Sequence, residues 1–168
     1  MMPLLLAGGV SAQEAGWQYS PLPGEGDRAA MGCAEGSTAA DHACLVVRCE
    51  DDFSVGIHVH TGRHPDDTGL WDMTLDREDR RFEAVASPAP YGARIAADAD
   101  WLLERLRHGT FVYLRHADDG HAGFRFISLA GSFQAIGEAL YWCAPRLPAD
   151  ERNPIPDVGA GENQGDSE

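Results

Sequence analysis

The chain has 168 residues, 43% of them apolar, which is enough to build one packed domain. Thirteen basic side chains against 27 acidic ones leave a formal net charge of −14. Such a surface repels nucleic-acid phosphate and anionic lipid alike, favours solubility and leaves cationic partners open.

Residues 1–12 read as the remnant of a secretory signal peptide. Leu4, Leu5 and Leu6 begin a short apolar stretch, and Val10, Ser11 and Ala12 put small residues where a signal peptidase would cut, before Gln13. The stretch is far shorter than the roughly 20 residues that span a bilayer, so no stable membrane insertion is expected. Export permits disulfides, and Cys33, Cys44, Cys49 and Cys143 form an even set. Their irregular gaps lack the paired C-x-x-C of a zinc ribbon. Of the three possible pairings, the favoured one joins Cys33 to Cys44 across a short loop and Cys49 to Cys143, tying an early strand to the last helix.

A single domain is expected over 17–146. Trp17 and Tyr19 mark a short opening strand, which the Pro/Gly-rich segment 21–26 breaks. Structure resumes near Cys44, where Leu45, Val47 and Cys49 turn one way and Val46 and Arg48 the other. Asp51 and Asp52 make a turn, with either one placed to pair with Arg48 across it. Segment 54–60 then alternates strictly, Val55, Ile57 and Val59 facing the core and His58 and His60 the opposite side. Residues 61–69 read as a loop, since Gly, Pro and Asp punctuate it.

Two further strands carry Trp71, Met73 and Leu75 and then Phe82, Ala84 and Ala86, with 76–81 as their turn and Pro88 and Pro90 as their end. Asp98 or Asp100 caps a helix bearing Trp101, Leu102, Leu103 and Leu106, which Gly109 stops. Strands over 111–114 and 123–129 flank Asp118-Asp119-Gly120, a tight-hairpin signature. A second helix starts at Ser132, placing Phe133, Ile136, Leu140 and Cys143 on one side, and Pro145 and Pro148 close it. The segment 147–168 is acidic and nearly devoid of large apolar residues, so it reads as a disordered tail. The element order predicts a mainly β (α+β) fold, an antiparallel β-sandwich or half-barrel with one or two packed helices.

Leu45-Val46-Val47-Arg48-Cys49 resembles the L-x-x-R-C strand of the type VI secretion-associated VasI-like proteins and, more distantly, of the invasion-associated locus B family. The likeness continues through the helix and small residue at 102–110. It extends through Phe126, Leu129, Gly131, Ala135 and Ile136, which are similar to those families' closing strand, glycine turn and last helix. It covers about residues 44–144. The resemblance implies a β-sandwich-like accessory domain of the periplasm or outer surface, with no cofactor and no catalytic residue to carry over. The histidine-bearing strand and the 61–69 loop depart from the pattern.

The sharpest local constellation is His58-x-His60-x-x-x-His64, followed by Asp66 and Asp67. Imidazoles on alternate strand positions point the same way, and a loop residue adds a third ligand for zinc or copper. A neighbouring aspartate would then serve as acid or base in metal-assisted hydrolysis. The plainer reading places His58 and His60 on a solvated strand face. His108, His116 and His121 form a second, scattered group. The carboxylates Asp66, Asp67, Asp72, Asp76, Glu78 and Asp79 lack calcium-loop spacing and read as solvated turns. Trp71 and Trp101 read as core. No G-x-S-x-G elbow and no phosphate loop occurs.

The sequence therefore predicts an exported, non-enzymatic binding or accessory protein of the periplasm or extracellular space. Its partner would be a protein of the envelope or secretion apparatus, contacted through His58, His60, Arg63 and His64. The alternatives are a small metal-dependent hydrolase built on His58, His60 and His64, with zinc as its ion, and a periplasmic enzyme inhibitor.

Overall fold

The computed structural model describes residues 16–20 and 27–143; the signal-like segment 1–12 and the tail 147–168 lie outside them. Among the described residues, nine antiparallel strands form one continuous sheet: β1 (Gln18–Tyr19), β2 (Ala29–Cys33), β3 (Ala43–Cys49), β4 (Val55–Thr61), β5 (Gly69–Leu75), β6 (Glu78–Ala86), β7 (Ala93–Ile95), β8 (Phe111–His116) and β9 (Arg125–Ser128). Their order is β1-β2-β3-β4-β7-β6-β5-β8-β9. Helix α1 (Ala99–His108) precedes β8, and helix α2 (Ser132–Leu140) follows β9, ending in a 3₁₀ turn at Tyr141–Cys143. The fold is thus mainly β with two short helices, as the element order predicts.

The two-residue period of side-chain direction along β3, β4, β5, β6, β8 and β9 explains the core. Leu45, Ile57, Met73, Phe82, Leu114 and Ile127 all point to one face and are buried there. That face can close because the sheet curls. Trp17 N–H donates to the Ala130 carbonyl at 3.1 Å, Glu35 N–H to the Phe126 carbonyl at 3.0 Å, and the Trp17 indole N–H to the Ser128 carbonyl at 3.1 Å. These bonds draw the first strands against the last. Helix α2 packs across β1, β2 and β3, with α1 against α2. Helix α1 sits at the end where β5 turns into β6. There Arg105 reaches Glu78 at 2.5 Å, and Trp101 stacks under Arg80, with 3.8 Å from guanidinium carbon to ring centre.

The disulfides join Cys33 to Cys44 and Cys49 to Cys143, the favoured pairing. Cys33 and Cys44 are directly opposed in the β2–β3 ladder, so this bridge pins a strand pair on the outer face. The second bridge staples β3 to the turn that ends α2.

Several local expectations shift. Strand β2 is not evident from its residues, because Ala29-Ala30-Met31-Gly32-Cys33 carries almost no β-branched or aromatic signal. Its small residues make room instead, for a Cβ on Gly32 would stand 2.2 Å from the Trp17 indole nitrogen. Strand β7, three residues long, is too short to carry a periodic pattern. The β5–β6 turn occupies residues 76–77 alone, and β6 already begins at Glu78. The link from β8 to β9 runs over 117–124, longer than a tight hairpin. Asp98 stands at the α1 cap position but makes no capping bond through its side chain. Phe133 is exposed, because α2 buries Ser132, Ala135, Ile136 and Ala139 instead.

Candidate functional site

The first candidate region is the outer face of β3 and β4. Even-numbered residues of β3 and β4 point away from the core, as the alternation requires, yet this face is not the solvated one expected. His58 is fully buried and Arg48 is only 7% exposed. The loop 87–92 lays Tyr91 over them, and Ala29, Val46 and Tyr91 form a second small apolar cluster there. Glu50 joins the two basic groups: its Oε1 lies 2.6 Å from His58 Nε2, and its Oε2 accepts from the Arg48 guanidinium at 2.8 Å. Asp27 accepts from the same guanidinium at 3.2 Å, while Asp51 stands 4.0 Å away. The expected exposed pairing of Arg48 with the Asp51–Asp52 turn is therefore replaced chiefly by buried partners. Burial pushes the His58 imidazole below its ordinary pKa, against the opposing hydrogen bond and charge of Glu50.

His60 lies one pleat further along β4, partly exposed. Its ring is 4.8 Å from that of His42 and perpendicular to Tyr91 at 5.9 Å. Burial first, and then the neighbouring His42, lowers its pKa, while Asp67 opposes the shift. His42 is the residue that sequence reasoning missed. It sits just before β3 among loop residues, and only the β3–β4 register brings it beside His60.

His64 does not join them: it is exposed and precedes a cis proline, Pro65. Asp66 is occupied by Thr68, whose backbone N–H and hydroxyl it accepts at 2.9 and 2.5 Å. Asp67 is buried and accepts from the backbone N–H and the hydroxyl of Thr61, the former at 2.9 Å. Among the described residues, no group of three or more His, Cys, Asp or Glu side chains is disposed to hold a metal ion. The second histidine group is likewise dispersed. His108, at the end of α1, faces Glu104 on the same helix and Phe133 on α2, and His121 is exposed. His116 is locked near the β8 end: its Nδ1 accepts from Asp118 N–H at 3.2 Å, so Nε2 carries the proton and donates to the Thr68 carbonyl at 3.0 Å.

The second region is the mouth of the curled sheet, opposite the end that α1 covers. A pocket of about 210 Å³ opens there, floored by Trp71 and Leu114 and walled by His42, Thr61, Arg63, Arg115, His116 and Arg125. Three arginines converge on this one place in a strongly acidic chain. For two of them the carboxylate partner stands further into solvent: Arg125 is 31% exposed and Asp41 77%, at 2.7 Å, and Arg63 is less exposed than Asp119. Arg63 bridges to Asp119 at 3.3 Å and also donates to the Asp66 carbonyl at 3.0 Å, anchoring the 61–69 loop to the rim.

From the mouth an aromatic stripe runs down the outer face of β8 and β9. The ring centres of Tyr113 and Phe126 are 5.4 Å apart, those of Tyr113 and Phe111 5.3 Å, and Phe124 extends the row under Arg115 at 4.2 Å. Tyr113 and Phe124 are exposed. Arg115 belongs to both features. It lines the pocket, stacks on Phe124 and faces Asp72, which also accepts from Arg81 at 2.7 Å. Of the two tryptophans read as core, Trp71 is buried and Trp101 only partly so.

No protein-family model matches the chain, and neither the curated proteins nor the solved structures contain a match to it.

Proposed function

We propose that this is an exported binding or accessory module of the bacterial periplasm or outer surface that takes a protein partner at the mouth of its curled sheet. The two disulfides fit maturation in an oxidising compartment. The likeness of residues 44–144 to VasI-like and invasion-associated locus B proteins supports placing the partner in a secretion apparatus or the envelope.

The observation that carries the reading is the mouth itself. Its volume lies below the roughly 300–1,000 Å³ of small-molecule and cofactor sites and leaves room for a single inserted side chain. Its apolar floor, its arginine wall and the adjoining aromatic stripe have the composition of an interface anchor. Arg63 and the 61–69 loop remain part of the proposed contact surface. His58 is removed from it by burial, and the weight moves to Arg115, Arg125 and Phe124.

Site-specific photocrosslinking in the producing cell tests this. A photoreactive residue at Gly123, on the rim, should give a discrete crosslinked species that the same residue at Glu104, on α1, does not. Equal labelling at both positions, or none at the rim, overturns the proposal.

A further inference from the structure

Two neighbouring imidazoles on the outer face have ring nitrogens that nothing satisfies. The register pairs His60 with Cys44, which makes His42 its diagonal neighbour on the same face. The rings stand 4.8 Å apart and are tilted by 47°. His42 Nε2 and His60 Nδ1 are both shut off from solvent, and neither has a hydrogen-bond partner. Buried polar groups are nearly always satisfied, and an exception calls for a water, an ion or a chemical role. Here two exceptions occur on adjacent rings.

Beside them lies a buried carboxylate that forms no ion pair with Arg or His among the described residues. Both oxygens of Asp67 are bonded to Thr61, and its charge acts on His60. A Cβ built on Gly92 would meet Asp67 Oδ2 at 2.3 Å and the His60 Cα at 3.0 Å, which puts the carboxylate against the His60 backbone. Buried charges are paired or sit beside metal ions. His58 Nδ1 also lacks a partner, but His58 does not belong to the pair, because it is fully buried and its Nε2 is held by Glu50. His42 lines the mouth pocket and so offers a route from solvent.

We infer that His42 and His60 form a two-histidine site for one divalent transition-metal ion, copper(II) or zinc, with Asp67 as the fixed negative charge beside it. Imidazole nitrogen suits both ions, and copper(II) is the tighter binder at nitrogen sites. Two protein ligands are fewer than the four of a closed structural site, so the ion should exchange more readily than one held there. The inference does not depend on the partner-binding reading.

The test uses the full chain, oxidised and without an affinity tag, titrated separately with copper(II) and zinc. One equivalent should bind, and the copper spectrum should show coupling to two imidazole nitrogens by electron paramagnetic resonance. His42→Gln and His60→Gln should each weaken binding by at least about tenfold, the scale of a lost site interaction. His64→Gln and His121→Gln should leave it unchanged. Diethylpyrocarbonate mapping of the unaltered protein needs no variant: metal should protect His42 and His60 and leave His64 and His121 reactive. Absence of stoichiometric binding, binding indifferent to His42 and His60, or protection centred on His64 or His121 would each overturn the assignment.

Discussion

His58 Nε2 lies 2.6 Å from Glu50 Oε1, and both residues are on the outside of a sheet whose inside holds the main core. The same carboxylate binds Arg48, so one side chain is shared by two buried basic groups. Removing the shared partner is worse than never having had it, because each basic group stays desolvated. Glu50→Ala should therefore lower stability by about 3–5 kcal/mol, whereas Asp51→Ala, at an exposed carboxylate, should cost less than about 1 kcal/mol. Urea unfolding of the oxidised variants checks the contrast.

Gly56 gives the same network a steric test. A methyl group there would fall 1.8 Å from Glu50 Oε1 and 2.9 Å from His58 Nε2. Gly56→Ala should displace the carboxylate and destabilise by about 1–3 kcal/mol, the cost of overpacking, even though alanine suits a strand better than glycine. A midpoint at or above that of the parent protein would show that the network yields freely.

The disulfides close loops of different size, with sequence separations of 11 and 94. Chain entropy then assigns about 2.8 kcal/mol to the Cys33–Cys44 bridge and about 4.7 kcal/mol to Cys49–Cys143. Paired serine replacements, one bridge at a time, should reproduce that order in denaturant midpoints.

Asp72 accepts from Arg81 and also faces Arg115, and the Arg81 hydrogen bond, with the charges of both arginines, holds its carboxyl below the ordinary aspartate value. A carboxyl acidified by folding stabilises the folded state above its unfolded pKa and loses that contribution as pH falls through the lowered one. The stability gap between parent and Asp72→Asn should be under about 1 kcal/mol at pH 7 and close below about pH 4. A gap that widens on acidification would contradict the pairing.

The seam that curls the sheet depends on Trp17. Trp17→Phe removes the indole N–H from the Ser128 carbonyl and should cost about 1 kcal/mol. Gly32→Ala should cost more, since its methyl group would occupy the indole's place. Hydrogen exchange at β9 amides should rise in both.

Much of this protein was legible in its residue pattern. Period-two alternation placed Leu45, Ile57 and Trp71 on one face, and helical spacing located α1 and α2, because local geometry alone sets those periodicities. The even cysteine set led to the two bridges. Period two, however, says which residues share a face and not whether that face stays wet. His58 and Arg48 are buried because Tyr91 and Asp27, from segments far apart in the chain, come to rest over and beside them. His42 meets His60 only through strand register, and three arginines meet at the mouth only because the curled sheet brings the ends of β4, β8 and β9 together. Side-chain alternation is written in neighbouring residues, whereas burial of the outer face and convergence at the mouth arise from long-range closure.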